Sequence, residues 1–478
     1  MSCPPADEDF KGATDRFLAW FKAGGGVFRD DLLEIQDLRH KDAGRGIIAK
    51  KDIPQDTTLF TIPRDLIISV ETSELPGKLP EIFDAFVGGE GDDEREPLDS
   101  WTSLILVMMY EHLQGDASRW KPYLDVLPRT FDTPIFWSEA ELKELEGTCL
   151  SVDKIGKQQS DDMLRSRVVP VIEQNPTIFY SACASKLSGQ ELLELAHRMG
   201  STIMSYAFDL DNKDEESENG EDGWVEDRDG TTPLGMVPMA DILNANAEFN
   251  AHVNHGDSLE VTSLRFTLPA GSEVLNYYGP LPTSELLRRY GYVTPEHARY
   301  DVVELPWSLV RAALIEQLTV SEEVVSKVEA KLEENEEFEE YFIIERDSGD
   351  PDSEGQLTYP AQLREVSPEL EEQVKAVFKG IKKQKPELFS EKRKRVDDYQ
   401  EIVSKALTAK LRTYPTTMEE DETLLKGDDL AKRHRMAIKV RLGEKRLLHE
   451  ALAILQQDDA DTVATQVGQV GKKTKQKA

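Results

Sequence analysis

Between residues 234 and 293 the chain carries an Asn-rich turn, Asn244-Ala245-Asn246-Ala247, and then a short apolar strand that runs into Tyr277-Tyr278-Gly279. Asn and Gly enter tight turns at small conformational cost, Asn because its amide bonds to nearby backbone and tolerates positive φ. Two turns bearing amides and phenols, each reached from an apolar segment, have the makings of a site. They equally have the makings of two hairpin corners, and turn chemistry alone does not choose between them. Tyr277 and Tyr278 are adjacent, so on a strand their rings leave on opposite sides and only one can face a given ligand.

A second glycine-bearing segment lies far upstream. Residues 33–70 are rich in β-branched side chains and punctuated by Gly and Pro, which reads as strands and turns. Within them Ala43-Gly44-Arg45-Gly46 precedes the apolar Ile47-Ile48-Ala49. Glycines there allow backbone groups to approach a ligand without an intervening Cβ, although a plain hairpin turn has the same form.

The rest of the chain has helical character. Residues 12–23 put Phe17, Leu18, Trp20 and Phe21 at helical spacing. Residues 75–200 read as helices, with an apolar one over 101–113 and another over 191–208. Residues 209–229 hold eleven acids and two bases and almost no apolar side chain. Such a segment cannot bury enough surface to offset its ordering entropy, so a disordered loop is expected. From 306 onward the pattern is helical again: an acidic helix over 321–341, a basic one over 381–395, and a long amphipathic one over 433–455. The lysine-rich end, 471–478, reads as a disordered tail.

Composition narrows the class. A chain of 478 residues is too long for one ordinary core, so two or three domains are expected. The longest apolar run, 104–109, is too short to span a bilayer, and the first ten residues show no secretory pattern. Three scattered cysteines fit a reducing compartment and no cysteine-based zinc site, and no metal is expected. The net charge of −34 would repel nucleic acid and attract a basic polypeptide, though solubility alone accounts for it equally simply.

Taken in order, the Gly motif, the Asn motif, the Tyr-Tyr-Gly turn and the later Y-x-T-T-x-E-x-D run from Tyr414 to Asp421 resemble the SET-domain lysine methyltransferases. The resemblance is to the subfamily of the Rubisco large-subunit lysine methyltransferase, nearest its fungal ribosomal-protein and animal SET-domain members. It implies an α+β chain, with a β-rich SET fold interrupted by a helical subdomain and followed by an all-α C-terminal substrate-binding domain. The implied boundaries are an N-terminal helical segment to 32, SET strands at 33–74, the helical insertion at 75–208, the acidic loop at 209–232, further SET strands at 233–305, the C-terminal domain at 306–457 and the tail at 458–478.

The same resemblance implies S-adenosyl-L-methionine as cofactor and a lysine of a non-histone protein, a ribosomal protein of the large subunit, as substrate. Ala43, Gly44, Arg45 and Gly46 would meet the methionine end of the cofactor through backbone atoms. Asn244 would bond its amino-acid part or hold the turn, and Ala245 would offer backbone to the adenine. Relatives have His at that second position, so Ala245 leaves only the backbone contact. Tyr278 would line the cofactor pocket and act as the catalytic residue, orienting the amine, with water an equal candidate for the proton acceptor. Trp101, Tyr206 and Tyr290 would wall the lysine channel, and Tyr277 would pack elsewhere. A monomer in the nucleus, or in the cytoplasm as well, with neither nucleic acid nor membrane as partner, completes the expectation. The reading from another class is a catalytically silent SET scaffold that binds basic proteins.

Overall fold

The computed structural model describes residues 10–41, 43–83, 98–181, 185–210, 232–335, 338–389, 392–427 and 429–474. The acidic loop therefore lies almost wholly outside the described residues, as do the last four of the tail.

Two four-stranded sheets hold the β-rich part. One runs Val27–Phe28, Thr58–Pro63, Ser258–Ser263, Ala251–Asn254, all antiparallel. In Ser258–Ser263 Leu259, Val261 and Ser263 are buried while Glu260 is exposed, the alternation of a strand with one wet face. The second sheet runs Leu33–Asp37, Arg45–Ala49, Glu273–Asn276, Asn244–Ala245. Here Gly46 to Ala49 are buried without a break, because this strand is interior and covered on both faces. Strands from residues 33–49 thus pair with strands from residues 244–276, across the whole helical insertion.

That insertion is built on Ser100–Gln114. Asp99 caps it, its Oδ1 accepting from the Thr102 N–H at 2.8 Å. Leu104 through Met109 are all fully buried, so the helix is apolar all round and lies inside the core. Gly189–Tyr206 packs beside it and opens with a capping box formed by Ser188 and Glu191. One continuous apolar core joins these helices to both sheets, and a second fills the C-terminal domain.

Several expected boundaries move. The helix expected over 191–208 ends at Tyr206, and Ala207–Asp209 is a strand. Leu234–Met236 needs a partner, and Ala207, Phe208 and Asp209 supply it. The acidic helix ends at Glu333, well short of 341, because Tyr341–Glu345 pairs along its whole length with Val302–Pro306. Among its described residues the C-terminal domain is therefore helical apart from this strand and the loop that follows it to Pro368. The basic stretch 381–395 is split between Pro368–Gln384 and Lys392–Leu411, with Pro386 in the interval. The last helix runs Lys432–Thr474, past the expected tail boundary, since no proline interrupts it.

The Y-x-T-T-x-E-x-D run locks the two halves together. Asp421 accepts from Arg441 Nε at 2.9 Å and from Lys445 Nζ at 2.6 Å, and all three side chains are buried. Arg441 also reaches Glu144 of the insertion at 2.7 Å. Glu444 accepts from the Cys149 N–H at 2.9 Å and the Tyr414 hydroxyl at 2.8 Å. Burial would raise the Asp421 carboxyl, but the bonds from Arg441, Lys445 and Thr416 outweigh it and hold the group below the usual range.

Candidate active site

Three sequence segments meet in the second sheet. Asn244–Ala245 runs parallel to Glu273–Asn276, with Asn244 opposite Leu275 and Ala245 opposite Asn276. Arg45–Ala49 flanks the other edge of that strand, Ile47 opposite Val274. The Asn244 amide spans the sheet, donating to Arg45 O at 3.1 Å and to Glu273 Oε1 at 2.6 Å. It thus ties the glycine segment to the Asn turn. Gly46 is required by packing, since a Cβ there would sit 2.3 Å from Leu38 Cδ1 and 2.7 Å from Glu273 Oε1. Gly44 is different: a Cβ would meet nothing within 4 Å. Its bareness leaves an open cradle of backbone beside Ala43.

The Arg45 side chain turns away from that cradle. It donates to Thr14 Oγ1 and Val126 O, each at 2.9 Å, and lies over the Phe10 ring at 3.9 Å. Burial lowers its pKa to about 10. Only the backbone of Arg45 therefore remains for a ligand, as the motif implies.

Beyond Asn276 the chain enters a knot of phenols. Tyr278 stacks on Tyr290 with ring centroids 4.3 Å apart and planes at 12°, and Tyr292 meets the Tyr290 ring edge-on at 6.2 Å. Tyr278 Oη donates weakly to Leu243 O at 3.4 Å, and Tyr292 Oη to Ala245 O at 3.3 Å. Burial, then the neighbouring Tyr292, Tyr290, Tyr206 and Asp241, push the Tyr278 pKa well above its ordinary value. Burial raises Tyr206 to about 12, with Asp241 adding to the effect. Every phenol here stays protonated at neutral pH.

Asp241 brings a carboxyl to the group. Its Oδ2 accepts from Tyr123 Oη at 2.6 Å, while its Oδ1 is buried and has no hydrogen-bond partner. Burial raises it to about 7 against the pull of Tyr123. Just before it, Met239 holds φ +80 without being a glycine, a strained backbone of the kind that gathers at functional sites. Tyr123, Asp241 and Tyr292 were not singled out from sequence. An acid inside the apolar run Met236 to Leu243 was the signal available for Asp241; Tyr123 lies more than a hundred residues away and had none.

Tyr206, Tyr278 and Tyr290 come together, and Asn244, Ala245, Arg45 and Gly46 share one sheet. Trp101 does not join them. It packs on Gly200, where a Cβ would lie 3.0 Å from its Cζ2, and lines a cavity of about 320 Å³ with Met204, Leu164, Ile155, His197 and Arg288. Met204 and Tyr206 are two residues apart, roughly 200° around a helix, so Trp101 and Tyr206 face different sides. Tyr277 also separates from Tyr278, stacking on Phe249 at 4.5 Å and 20°.

Comparison with known proteins agrees with this architecture. Residues 329–448 match the family described as Rubisco LSMT substrate-binding. Ribosomal lysine N-methyltransferase 4 of Saccharomyces cerevisiae is 32% identical over 361 residues, covering 73% of this chain and 70% of that one. N-lysine methyltransferase SETD6 of Homo sapiens is 26% identical over 442 residues, covering 86% and 84%. The solved structure of Rubisco LSMT bound to sinefungin and monomethyllysine superposes with a TM-score of 0.62 at 21% identity, over 94% of this chain and 92% of the other, which speaks to the fold.

Proposed function

The chain belongs to the SET-domain protein-lysine methyltransferases of the Rubisco large-subunit class, and from that membership we propose that it methylates a lysine on a basic ribosomal protein of the large subunit. It is a protein-lysine N-methyltransferase, and S-adenosyl-L-methionine is its methyl donor. The ribosomal assignment is supported by the name of the Saccharomyces relative and by a net charge of −34, which attracts a basic polypeptide.

The residues present fit that donor. The Asn244 amide joins the Asn244–Ala245 strand to the Arg45 backbone, the Tyr278 hydroxyl reaches Leu243 O beside that strand, and the space a Cβ on Gly44 would enter is open. When bound, S-adenosyl-L-methionine supplies a methyl group on a cationic sulfur. Asn244 holds the Gly segment against the sheet, so the backbone of Ala43 to Gly46 is positioned before any ligand arrives.

The observation that carries the mechanism is the stacked, half-buried Tyr278–Tyr290 pair beside Leu243 O. An attacking amine must be neutral, yet lysine has a pKa of about 10.4 in water. A dry aromatic wall disfavours the ammonium form and so lowers that value. Tyr278 keeps its proton, and its 3.4 Å bond to Leu243 O is long enough to yield. The hydroxyl is then free to accept from the amine and orient its lone pair, alignment being the larger part of the catalytic task. Asp241, with an unpartnered Oδ1 and a pKa raised to about 7, lies close enough to Tyr278 and Tyr206 to help hold both phenols protonated.

The test is to incubate the protein with labelled S-adenosyl-L-methionine and separated basic ribosomal proteins, then identify the labelled band. A single large-subunit protein is expected, and Tyr278→Phe should lose the label. Label only on other basic proteins would overturn the substrate. No label anywhere, from folded protein that binds the cofactor, would favour the silent scaffold.

A further inference from the structure

The C-terminal domain touches the cofactor turn directly. Residues 347–362 form a closed loop: Asp347 and Gln362 exchange backbone hydrogen bonds of 3.0 Å at its base, and Asp352 Oδ1 accepts the Glu354 and Gln356 N–H groups, each at 2.9 Å. The tip crosses to the SET strands. Gly355 O accepts from the Phe249 N–H at 3.1 Å and from Arg265 Nη2 at 3.3 Å, while Glu354 Oε2 accepts from the Phe266 N–H at 3.2 Å. Leu357 N–H reaches Glu248 Oε1 at 3.4 Å. Gly355 has φ +71, and a Cβ there would lie 2.3 Å from Phe249 O and 2.9 Å from Phe249 Cδ2. Only glycine gives this approach.

Phe249 sits at the end of the Asn turn. Its other neighbour is Tyr277, ring on ring at 4.5 Å. Asn250 rivets the same turn to the strand before Tyr277: its N–H donates to Leu275 O at 3.1 Å, its Oδ1 accepts from Leu275 N–H at 2.8 Å, and its Nδ2 donates to Glu273 O at 2.9 Å. One short wedge therefore joins the C-terminal loop to the residue bonded to Tyr278.

We infer that Phe249 is a positioning residue for methyl transfer: gripped by Gly355 of the C-terminal loop, it fixes the Tyr277 ring and so the direction in which Tyr278 leaves the backbone. Two adjacent side chains diverge from one peptide, so clamping the first sets the second. The substrate-binding domain thereby helps to build the catalytic wall. This rests on Tyr278 being the catalytic residue of the proposed function.

The full-length protein is tested as Phe249→Ala, Phe249→Tyr and Gly355→Ala, with melting temperature measured for each. Readouts are kcat, KM for the protein substrate, affinity for S-adenosylhomocysteine by calorimetry, and amide exchange over 244–250 and 275–278. Phe249→Ala should lower kcat roughly ten- to a hundred-fold, the order that a misplacement of about 1 Å costs, with KM for the protein substrate unchanged. Phe249→Tyr, which keeps the stack, should restore it, and Gly355→Ala should speed exchange over both segments. Normal kcat in folded Phe249→Ala overturns the inference. So does a kcat loss that Phe249→Tyr fails to rescue, or unchanged exchange at 275–278 in both Gly355→Ala and Phe249→Ala. Affinity and exchange need no protein substrate, so a wild type that labels no ribosomal protein sinks the functional proposal while these readouts still decide this one.

Discussion

Two polar clusters in this molecule, one buried and one half-buried, differ in how their carboxyl groups are paired. At the junction of the insertion and the last helix, Asp421 faces both Arg441 and Lys445, and Glu444 takes two hydrogen bonds. In the phenol cluster Asp241 keeps one oxygen unpartnered and Tyr278 makes a single long bond. Burying charge is costly unless it is paired, so the junction spends its pairing on cohesion. Unused capacity in the phenol cluster is what a reacting amine can occupy. Substitutions at the junction should therefore register as stability, and those in the cluster as rate.

The largest effect belongs to Asp421→Ala. It leaves Lys445 buried without a carboxylate and Arg441 with Glu144 alone, and chemical denaturation should show a loss of about 3–5 kcal/mol. A loss under 1 kcal/mol would mean that the pair is not holding the halves together. Next comes Tyr278→Phe, which keeps the ring stack and removes a hydroxyl at the reacting centre. Turnover should drop roughly a hundred- to a thousand-fold, about 2.7–4 kcal/mol, with melting temperature and S-adenosylhomocysteine affinity retained. If stability falls with the rate, the cluster is structural and the contrast fails.

A smaller effect is read by pH, at the junction. Burial pushes Glu444 to about 7 from an ordinary 4.5, and the nearby Asp301 to about 6 from 3.8. The folded chain then holds protons that the unfolded chain has released, so this contribution is full below the ordinary values and is lost as pH rises towards about 7. Glu444→Gln, whose Oε1 can still accept the Cys149 N–H while its Nε2 donates to the Tyr414 hydroxyl, should flatten the decline of stability across that window. An unchanged slope would show that Glu444 is ionised throughout. The smallest effect is expected for Tyr277→Phe: the ring that meets Phe249 survives, so turnover should stay within about twofold, the scale of a change of about 0.5 kcal/mol. A collapse there would move the catalytic hydroxyl from Tyr278 to Tyr277.

Local pattern alone was enough for the residues whose role depends on near neighbours. The turns at Ala43 to Gly46 and Asn244 to Ala247, the divergence of Tyr277 from Tyr278, and the apolar helix at 101–113 follow from side-chain type and spacing. The helix–strand changes at Ala207 and Tyr341 did not, because each is a strand only by virtue of a partner distant in sequence. Trp101 shows the same limit within one site. Spacing places it on a helix, but the Gly200 side of a neighbouring helix decides which cavity it enters.

What the sequence by itself determined is therefore the Gly and Asn turns, the divergence of Tyr277 from Tyr278 and the helical segments, since glycine freedom, amide turn chemistry and periodicity act over a few residues. The fold class, the cofactor segments and the role of Tyr278 rest instead on the resemblance to the SET-domain lysine methyltransferases. Tertiary structure alone decided that Tyr123 meets Asp241, that the Tyr414 to Asp421 run is a lock, and that Gly355 reaches Phe249. The first and last of these join segments about a hundred or more residues apart, and the lock closes the last helix onto a loop of its own domain. Their energies exist only once the chain has closed, and no local propensity records them.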